Sequence, residues 1–155
     1  MKSFAHAAIF LLVANAVLAV DAEGVPKAIN GTWLPVKAEL AGKAMPEAVL
    51  KSITLKLADA KYVVTIVGEP KGGETVDKGE YTIDESTTPK GMVIKGTDGP
   101  NKGKTFLCIF ELDGDTLRVC YDLSGMKQPA EFKTAEGTLL YLVTYKRKAA
   151  DEAKK

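Results

Sequence analysis

The serines and the single histidine of this 155-residue chain are the first residues to consider for chemistry. Ser52, Ser86 and Ser124 could be nucleophiles only beside a general base, and none lies in a Gly-x-Ser-x-Gly turn. The histidine, His6, lies in an N-terminal apolar segment that we expect to be removed. Histidine is the commonest general base near neutral pH. Without His6, the mature chain lacks the group that usually activates a serine nucleophile. A triad hydrolase is therefore excluded, and no catalytic residue is predicted.

Two polar turns and the cysteines imitate ligand-binding motifs without matching them. Residues 99–105 are rich in glycine and lysine, but a phosphate-binding loop has a longer spacing between its glycines and precedes a helix. The acidic cluster at 111–115 lacks the ligand order of a calcium loop. Cys108 and Cys120 are too few for a zinc site. No metal and no cofactor are predicted.

Residues 1–22 are predicted to be a secretory signal peptide. Lys2 precedes the uncharged apolar run 7–20, and the small residues Ala19 and Ala22 suit cleavage. The run is shorter than the about 20 apolar residues that a membrane-spanning helix needs. An uncleaved N-terminal anchor is the alternative. The mature chain is expected to be exported, to the periplasm or the cell exterior, without a membrane span.

The composition indicates one globular domain. The chain is 46% hydrophobic and 26% charged, and its 21 Lys and Arg against 20 Asp and Glu leave a net charge of +1. This balance gives no strong positive field, so a nucleic-acid partner is not expected. We place the domain at residues 29–147 and a short charged tail at 148–155.

Alternation of apolar and polar residues predicts an all-β domain. The eight predicted strands are 31–40, 52–58, 60–67, 76–84, 91–97, 104–112, 115–122 and 137–147. A proline followed by helix-forming residues at 45–51 predicts one short helix. Closing such a meander on itself removes its exposed edges. We therefore predict an eight-stranded antiparallel up-and-down barrel, with a two-sheet sandwich as the alternative.

The clearest local signal is a β-hairpin over residues 106–121. A two-residue turn at Asp113-Gly114 would place three pairs on the core face, Phe110 with Leu117, Cys108 with Val119, and Phe106 with Tyr121. In this register Cys108 and Cys120 lie on opposite faces and cannot bond. A three-residue loop is the alternative, and it would bring the two cysteines within reach of a disulfide.

Several blocks of the sequence resemble a known family. Gly31-Thr32-Trp33 resembles the Gly-x-Trp signature of the lipocalin superfamily, in which the tryptophan closes the bottom of the barrel. When further sequence blocks are considered together with this signature, the chain is similar to the uncharacterised lipocalin-like domain family common in planctomycete bacteria. These blocks are Met45-Pro46-Glu47, Lys78-Gly79-Glu80-Tyr81, Pro89-Lys90, residues 97–105, residues 111–117, Cys120, Pro129-x-Glu131-Phe132 and Tyr145-Lys146-Arg147. The similarity spans about residues 29–147 and departs at Leu34-Pro35 and in residues 69–76. It implies a small exported barrel without an assigned catalytic residue.

The same resemblance implies a structural role for Trp33. In lipocalin-like barrels a basic side chain from the last strand commonly covers the signature tryptophan, and Lys146 and Arg147 stand at the matching end of the chain. We expect Arg147 to cover it, because a planar guanidinium stacks on an indole and stays charged. The pair is predicted to close one end of the barrel.

The inward side chains of the predicted barrel form a hypothetical binding site. They are Leu55, Tyr62, Val64, Tyr81, Ile83, Met92, Ile94, Phe110, Leu117, Val119 and Tyr121. These residues would either line a cavity for a small apolar or amphipathic molecule or fill the barrel, and buried phenols favour a cavity because each needs a hydrogen-bond partner. We therefore predict a non-enzymatic binding module. The alternative is a structural or protein-interaction domain of the cell envelope, with a filled barrel and rim loops such as 97–104.

Overall fold

The structure is a computed structural model that describes residues 24–68 and 72–149, and strands account for more than half of these residues. In chain order the elements are β1 (Gly31–Leu40), β2 (Lys43–Ala44), α1 (Glu47–Lys51), β3 (Ile53–Ala58), β4 (Lys61–Val67), β5 (Glu74–Asp84), β6 (Lys90–Asp98), β7 (Thr105–Asp113), β8 (Thr116–Asp122) and β9 (Leu140–Arg147). A single 3-10 turn at Lys27–Ile29 precedes β1. The predicted signal peptide, and the tail beyond residue 149, lie outside the described residues.

The strands close into an antiparallel barrel. From β3 to β9 each strand pairs with the next, and β1 pairs with both β3 and β9. The two-residue β2 pairs only with the end of β1 and does not contribute to the closed wall. The eight-stranded barrel with one short helix is thus confirmed, and the sandwich alternative is wrong.

A tight turn between β3 and β4 determines which of their side chains face the barrel interior. Asp59 and Ala60 both have positive φ, at 51° and 60°, and join β3 to β4 in a two-residue turn. Positive φ at both central residues is the conformation whose twist matches that of the flanking strands. The turn sets Leu57 opposite Tyr62 and Leu55 opposite Val64. The apolar residues of both strands therefore face the interior together.

The β7–β8 hairpin forms from the expected residues but in a different register from the predicted one. Asp113 pairs with Thr116, so the turn is Gly114-Asp115. The observed pairs on the core face are Leu112 with Leu117, Phe110 with Val119, and Cys108 with Tyr121. Because the shift is two residues, every side chain stays on its predicted face of the sheet.

Cys108 and Cys120 are free thiols, so the disulfide considered as an alternative is wrong. Cys108 faces the interior, whereas Cys120 pairs with Ile109 and faces outward. Both are 0% exposed, and the Sγ of Cys120 lies 3.8 Å from the carbonyl oxygen of Lys133. Burial raises the pKa of both thiols. Since the thiolate is the reactive form, these cysteines are expected to be inert in the folded protein.

The long connection at 123–139 covers the outer face of β7 and β8. The Arg118 guanidinium on β8 lies 4.1 Å from the ring centre of Phe132 in this connection. Ile109 faces away from the barrel interior yet is only 1% exposed. Alternation of apolar and polar residues implies one buried and one solvated face of the sheet, but here both faces are buried. The strand β9 begins at Leu140, later than predicted, because the covering segment occupies the residues before it.

Candidate ligand cavity

One end of the barrel is closed around Trp33, which is 0% exposed. Its indole Nε1 donates a hydrogen bond of 2.9 Å to the carbonyl of Ile29. The Arg147 guanidinium lies 4.2 Å from the centre of the indole ring. Arg147 also donates hydrogen bonds to the carbonyls of Asn30 and Ala28. The structure therefore places the arginine of the last strand over the tryptophan and ties β9 to the residues that precede β1.

The barrel also contains a cavity of about 240 Å³, whose lining does not include Trp33. The lining includes Ile53, Thr75 and Tyr141, which lie near the first positions of β3, β5 and β9. The predicted lining residues found there are Leu55, Tyr62, Val64, Tyr81, Met92, Ile94, Leu117, Val119 and Tyr121. Ile83 and Phe110 instead line a separate depression with Ile29, next to the closed end. The predicted lining residues are thus divided between this cavity and the depression beside the closed end.

Further lining residues were not among the predicted ones, although the predicted hairpin register already placed Phe106 on the core face. They are Ile53, Leu57, Ile66, Thr75, Asp77, Pro100, Asn101, Phe106, Leu123, Tyr141 and Tyr145. Residues 140–143 of β9 are apolar or aromatic at every position, so their pattern does not show which face is inside. Asp77 lies four residues before Tyr81 on β5, so both side chains are on the same face of the sheet. This even spacing was the one feature of the sequence that could have placed Asp77 inside the barrel. All five tyrosines of the chain line the cavity.

Three of these tyrosines form a polar strip on an otherwise largely apolar wall. The hydroxyls of Tyr121 and Tyr145 share a hydrogen bond of 2.9 Å. The rings of Tyr121 and Tyr141 stack with their centroids 5.5 Å apart. Burial raises the pKa of all three phenols, because the interior disfavours the charged phenolate. The strip is neutral at physiological pH and offers hydroxyl groups to a ligand.

The buried tyrosines predict a loss of stability in alkaline solution. An exposed tyrosine has a pKa of about 10, and the folded-state pKa values of Tyr62, Tyr121, Tyr141 and Tyr145 are raised. Above about pH 10 the unfolded chain therefore loses protons that the folded chain keeps, and the free energy of unfolding falls as the pH rises. Urea unfolding across this pH range measures the effect. A free energy of unfolding that stays constant well above pH 10 would contradict this expectation.

Asp77 is the one carboxylate that residues 24–68 and 72–149 contribute to the lining of the cavity, and it is 6% exposed. Its Oδ2 accepts hydrogen bonds of 3.0 Å from the Tyr62 hydroxyl and from the Asn101 side-chain amide. Its Oδ1 accepts the backbone N–H of Asn101 at 2.9 Å. Burial, followed by the hydrogen bond to Asp77, raises the pKa of Tyr62. The carboxylate thereby connects β4 and β5 to the β6–β7 loop at the cavity wall.

The lining of the cavity combines aliphatic side chains, tyrosine hydroxyls and, among the described residues, one carboxylate. Among residues 24–68 and 72–149, no group of three or more His, Cys, Asp or Glu side chains is placed to hold a metal ion. The helices in this same part of the chain are all too short or too polar to cross a membrane.

The architecture matches that of a solved protein. A lipocalin-like protein from Bacteroides uniformis superimposes with a TM-score of 0.53 at 12% sequence identity, over 78% of this chain and 99% of that one. This chain has a lipocalin-like fold. Sequence comparison finds no matching protein family and no matching curated protein. At this identity the likeness concerns the fold alone, and the narrower similarity to the planctomycete family stays a prediction.

Proposed function

We propose that this chain is an exported, non-enzymatic module that binds a small apolar or amphipathic molecule inside its lipocalin-like barrel. The observation that carries the proposal is the cavity of about 240 Å³ with its largely apolar lining. An empty apolar cavity of about 150 Å³ is large enough to bind benzene. The space therefore suits a molecule somewhat larger than benzene. The predicted signal peptide supports export.

The position of Val64 provides a direct test of binding in the cavity. Val64 lines the cavity, whereas its neighbour Val63 on β4 is not part of the lining and has the opposite phase. A phenyl ring at position 64 would occupy space that the ligand needs. We expect Val64→Phe to weaken binding of the neutral probe 1-naphthalenemethanol by about tenfold or more. Val63→Phe, the matched control, should leave the affinity unchanged.

Fluorescence titration measures both affinities, and circular dichroism verifies that both variants are folded. Failure of the wild-type protein to bind the probe saturably would argue for a barrel without a binding function. Equal affinities of the two variants would show that the probe binds elsewhere on the protein.

A second candidate function, a protein-interaction domain of the cell envelope, has one observation in its favour. Large apolar side chains are exposed in and beside the cavity lining, including Ile66 at 38%, Leu123 at 36% and Leu139 at 56%. Ile66 and Leu123 also line the cavity, and the Leu123 N–H donates to the carbonyl of Leu139 at 3.0 Å. An apolar rim of this kind suits contact with another surface. Capture of a partner from envelope extract that persists in Val64→Phe would favour this candidate.

A further inference from the structure

The cavity lining is electrostatically one-sided. Among the residues that the structure describes, Asp77 is its one acidic residue, and no lysine, arginine or histidine of that part of the chain belongs to the lining. Burial raises the pKa of Tyr62, Tyr121, Tyr141 and Tyr145, so these four phenols are neutral at physiological pH. Inside the described barrel, the field that a ligand meets is therefore that of a single carboxylate.

The Asp77 carboxylate accepts hydrogen bonds from neutral donors and has fewer of them than its oxygens can accept. A carboxylate has about four acceptor positions, and the structure fills three of them, from the Tyr62 hydroxyl and from the backbone and side-chain nitrogens of Asn101. No ion pair within residues 24–68 and 72–149 includes Asp77. A buried carboxylate without a cation is costly to maintain, and a positive group brought by a ligand would offset that cost.

Aromatic rings supply the second half of a cation site. Phe106 and the five tyrosines belong to the same lining as Asp77. The faces of aromatic rings carry negative potential, and organic ammonium groups bind in sites where such rings surround them. A carboxylate and several aromatic rings in one small cavity favour a positive charge and disfavour a negative one.

We propose that the ligand of this cavity is a small organic cation, a protonated amine attached to an apolar body. The ammonium group binds next to the Asp77 carboxylate, and the apolar body contacts the aliphatic and aromatic wall. The inference rests on the proposed binding function and narrows it. Fatty acids and other apolar carboxylates, which would place a second negative charge near Asp77, are excluded as preferred ligands.

Three probes of the same shape and different charge test the inference on the wild-type protein. They are 2-phenylethylamine, 2-phenylethanol and phenylacetate, which are positive, neutral and negative at neutral pH. Affinities are measured by calorimetry, with amide NMR shifts of cavity residues to locate the site. We expect the amine to bind at least about tenfold more tightly than phenylacetate, with the alcohol between them. Phenylacetate binding as tightly as the amine would overturn the inference.

The variant Asp77→Asn tests the effect of the negative charge alone, because it keeps an acceptor oxygen for Tyr62 and Asn101. We expect it to lose about tenfold or more in amine affinity and to keep its affinity for the alcohol. Asp113→Asn is the matched control, since it makes the same change of net charge at an exposed hairpin turn, and it should not alter either affinity. Unchanged amine affinity in a folded Asp77→Asn protein would also overturn the inference.

The outcomes separate this inference from the proposed function. If Asp77→Asn does not fold, the wild-type probe series decides alone. Binding of the neutral alcohol and of 1-naphthalenemethanol without any preference for the amine would reject the cation and leave the binding function intact. Absence of binding by all of these probes would reject both.

Discussion

Replacement of Trp33 by alanine is expected to lower the free energy of unfolding by about 3–5 kcal/mol, the range of large aromatic truncations in protein cores. The side chain is 0% exposed. The variant loses the hydrogen bond to the Ile29 carbonyl and leaves the Arg147 guanidinium without the ring that it covers. A cation over an aromatic ring contributes about 0.5–2 kcal/mol on its own. Most of the loss of stability therefore comes from the void that the missing indole leaves in the core.

The same strand offers a control for this truncation. Val36 is 52% exposed, and Val36→Ala should change stability by no more than about 0.5 kcal/mol. Urea unfolding followed by far-ultraviolet circular dichroism measures both variants, because the chain contains a single tryptophan and its fluorescence is lost with Trp33. A Trp33→Ala protein with an unchanged free energy of unfolding would show that the indole does not hold this end of the barrel closed.

The second large effect is expected at Gly79. This residue lies on β5 between Tyr62 of β4 and Gly96 of β6, where the β5–β6 register shifts. A methyl group there would overlap the backbone carbonyl of Lys95 and approach Tyr62 Cε1 to 2.5 Å. The ring can move, but the carbonyl belongs to the barrel wall. We expect Gly79→Ala to cost about 3 kcal/mol, the upper end of typical overpacking.

Gly73→Ala is the matched control for this substitution. Gly73 precedes β5, and a methyl group there meets nothing within 4 Å. Its stability should stay within about 0.5 kcal/mol of the wild-type value. Thermal unfolding compares the two variants. Equal stabilities would mean that the β5–β6 pairing adjusts to a side chain at position 79, contrary to the packing described above.

The strands and their inner faces could be predicted from the sequence, because alternation has a period of two residues along a strand. β1 has the predicted bounds of residues 31–40. The same period explains the wrong register of the β7–β8 hairpin, since a shift of two residues leaves Cys108 and Val119 on the same faces and so leaves the pattern unchanged. Turn geometry, which alternation does not encode, decides between the two registers.

The candidate site was less accessible to sequence reasoning. Burial of Ile109 and Cys120 on the outer face depends on the irregular connection at 123–139, which has no periodicity to interpret. Asp77 lies in the inward phase of β5, where the pattern leads one to expect an apolar residue. Its meeting with Asn101 depends on the path of the β6–β7 loop. Local patterns thus locate the wall, and only the assembled barrel shows which polar group the wall contains.

The seam between β1 and β9 joins the first and last strands of the barrel. Contacts between such distant segments incur a large loss of chain entropy before they form, and folds that depend on them assemble slowly. Until β9 is available, β1 and β8 each present an unpaired edge to which other chains can add. A polypeptide that ends before β9 would therefore remain an open sheet prone to aggregation, and the interior compartment exists only once synthesis has reached the final strand.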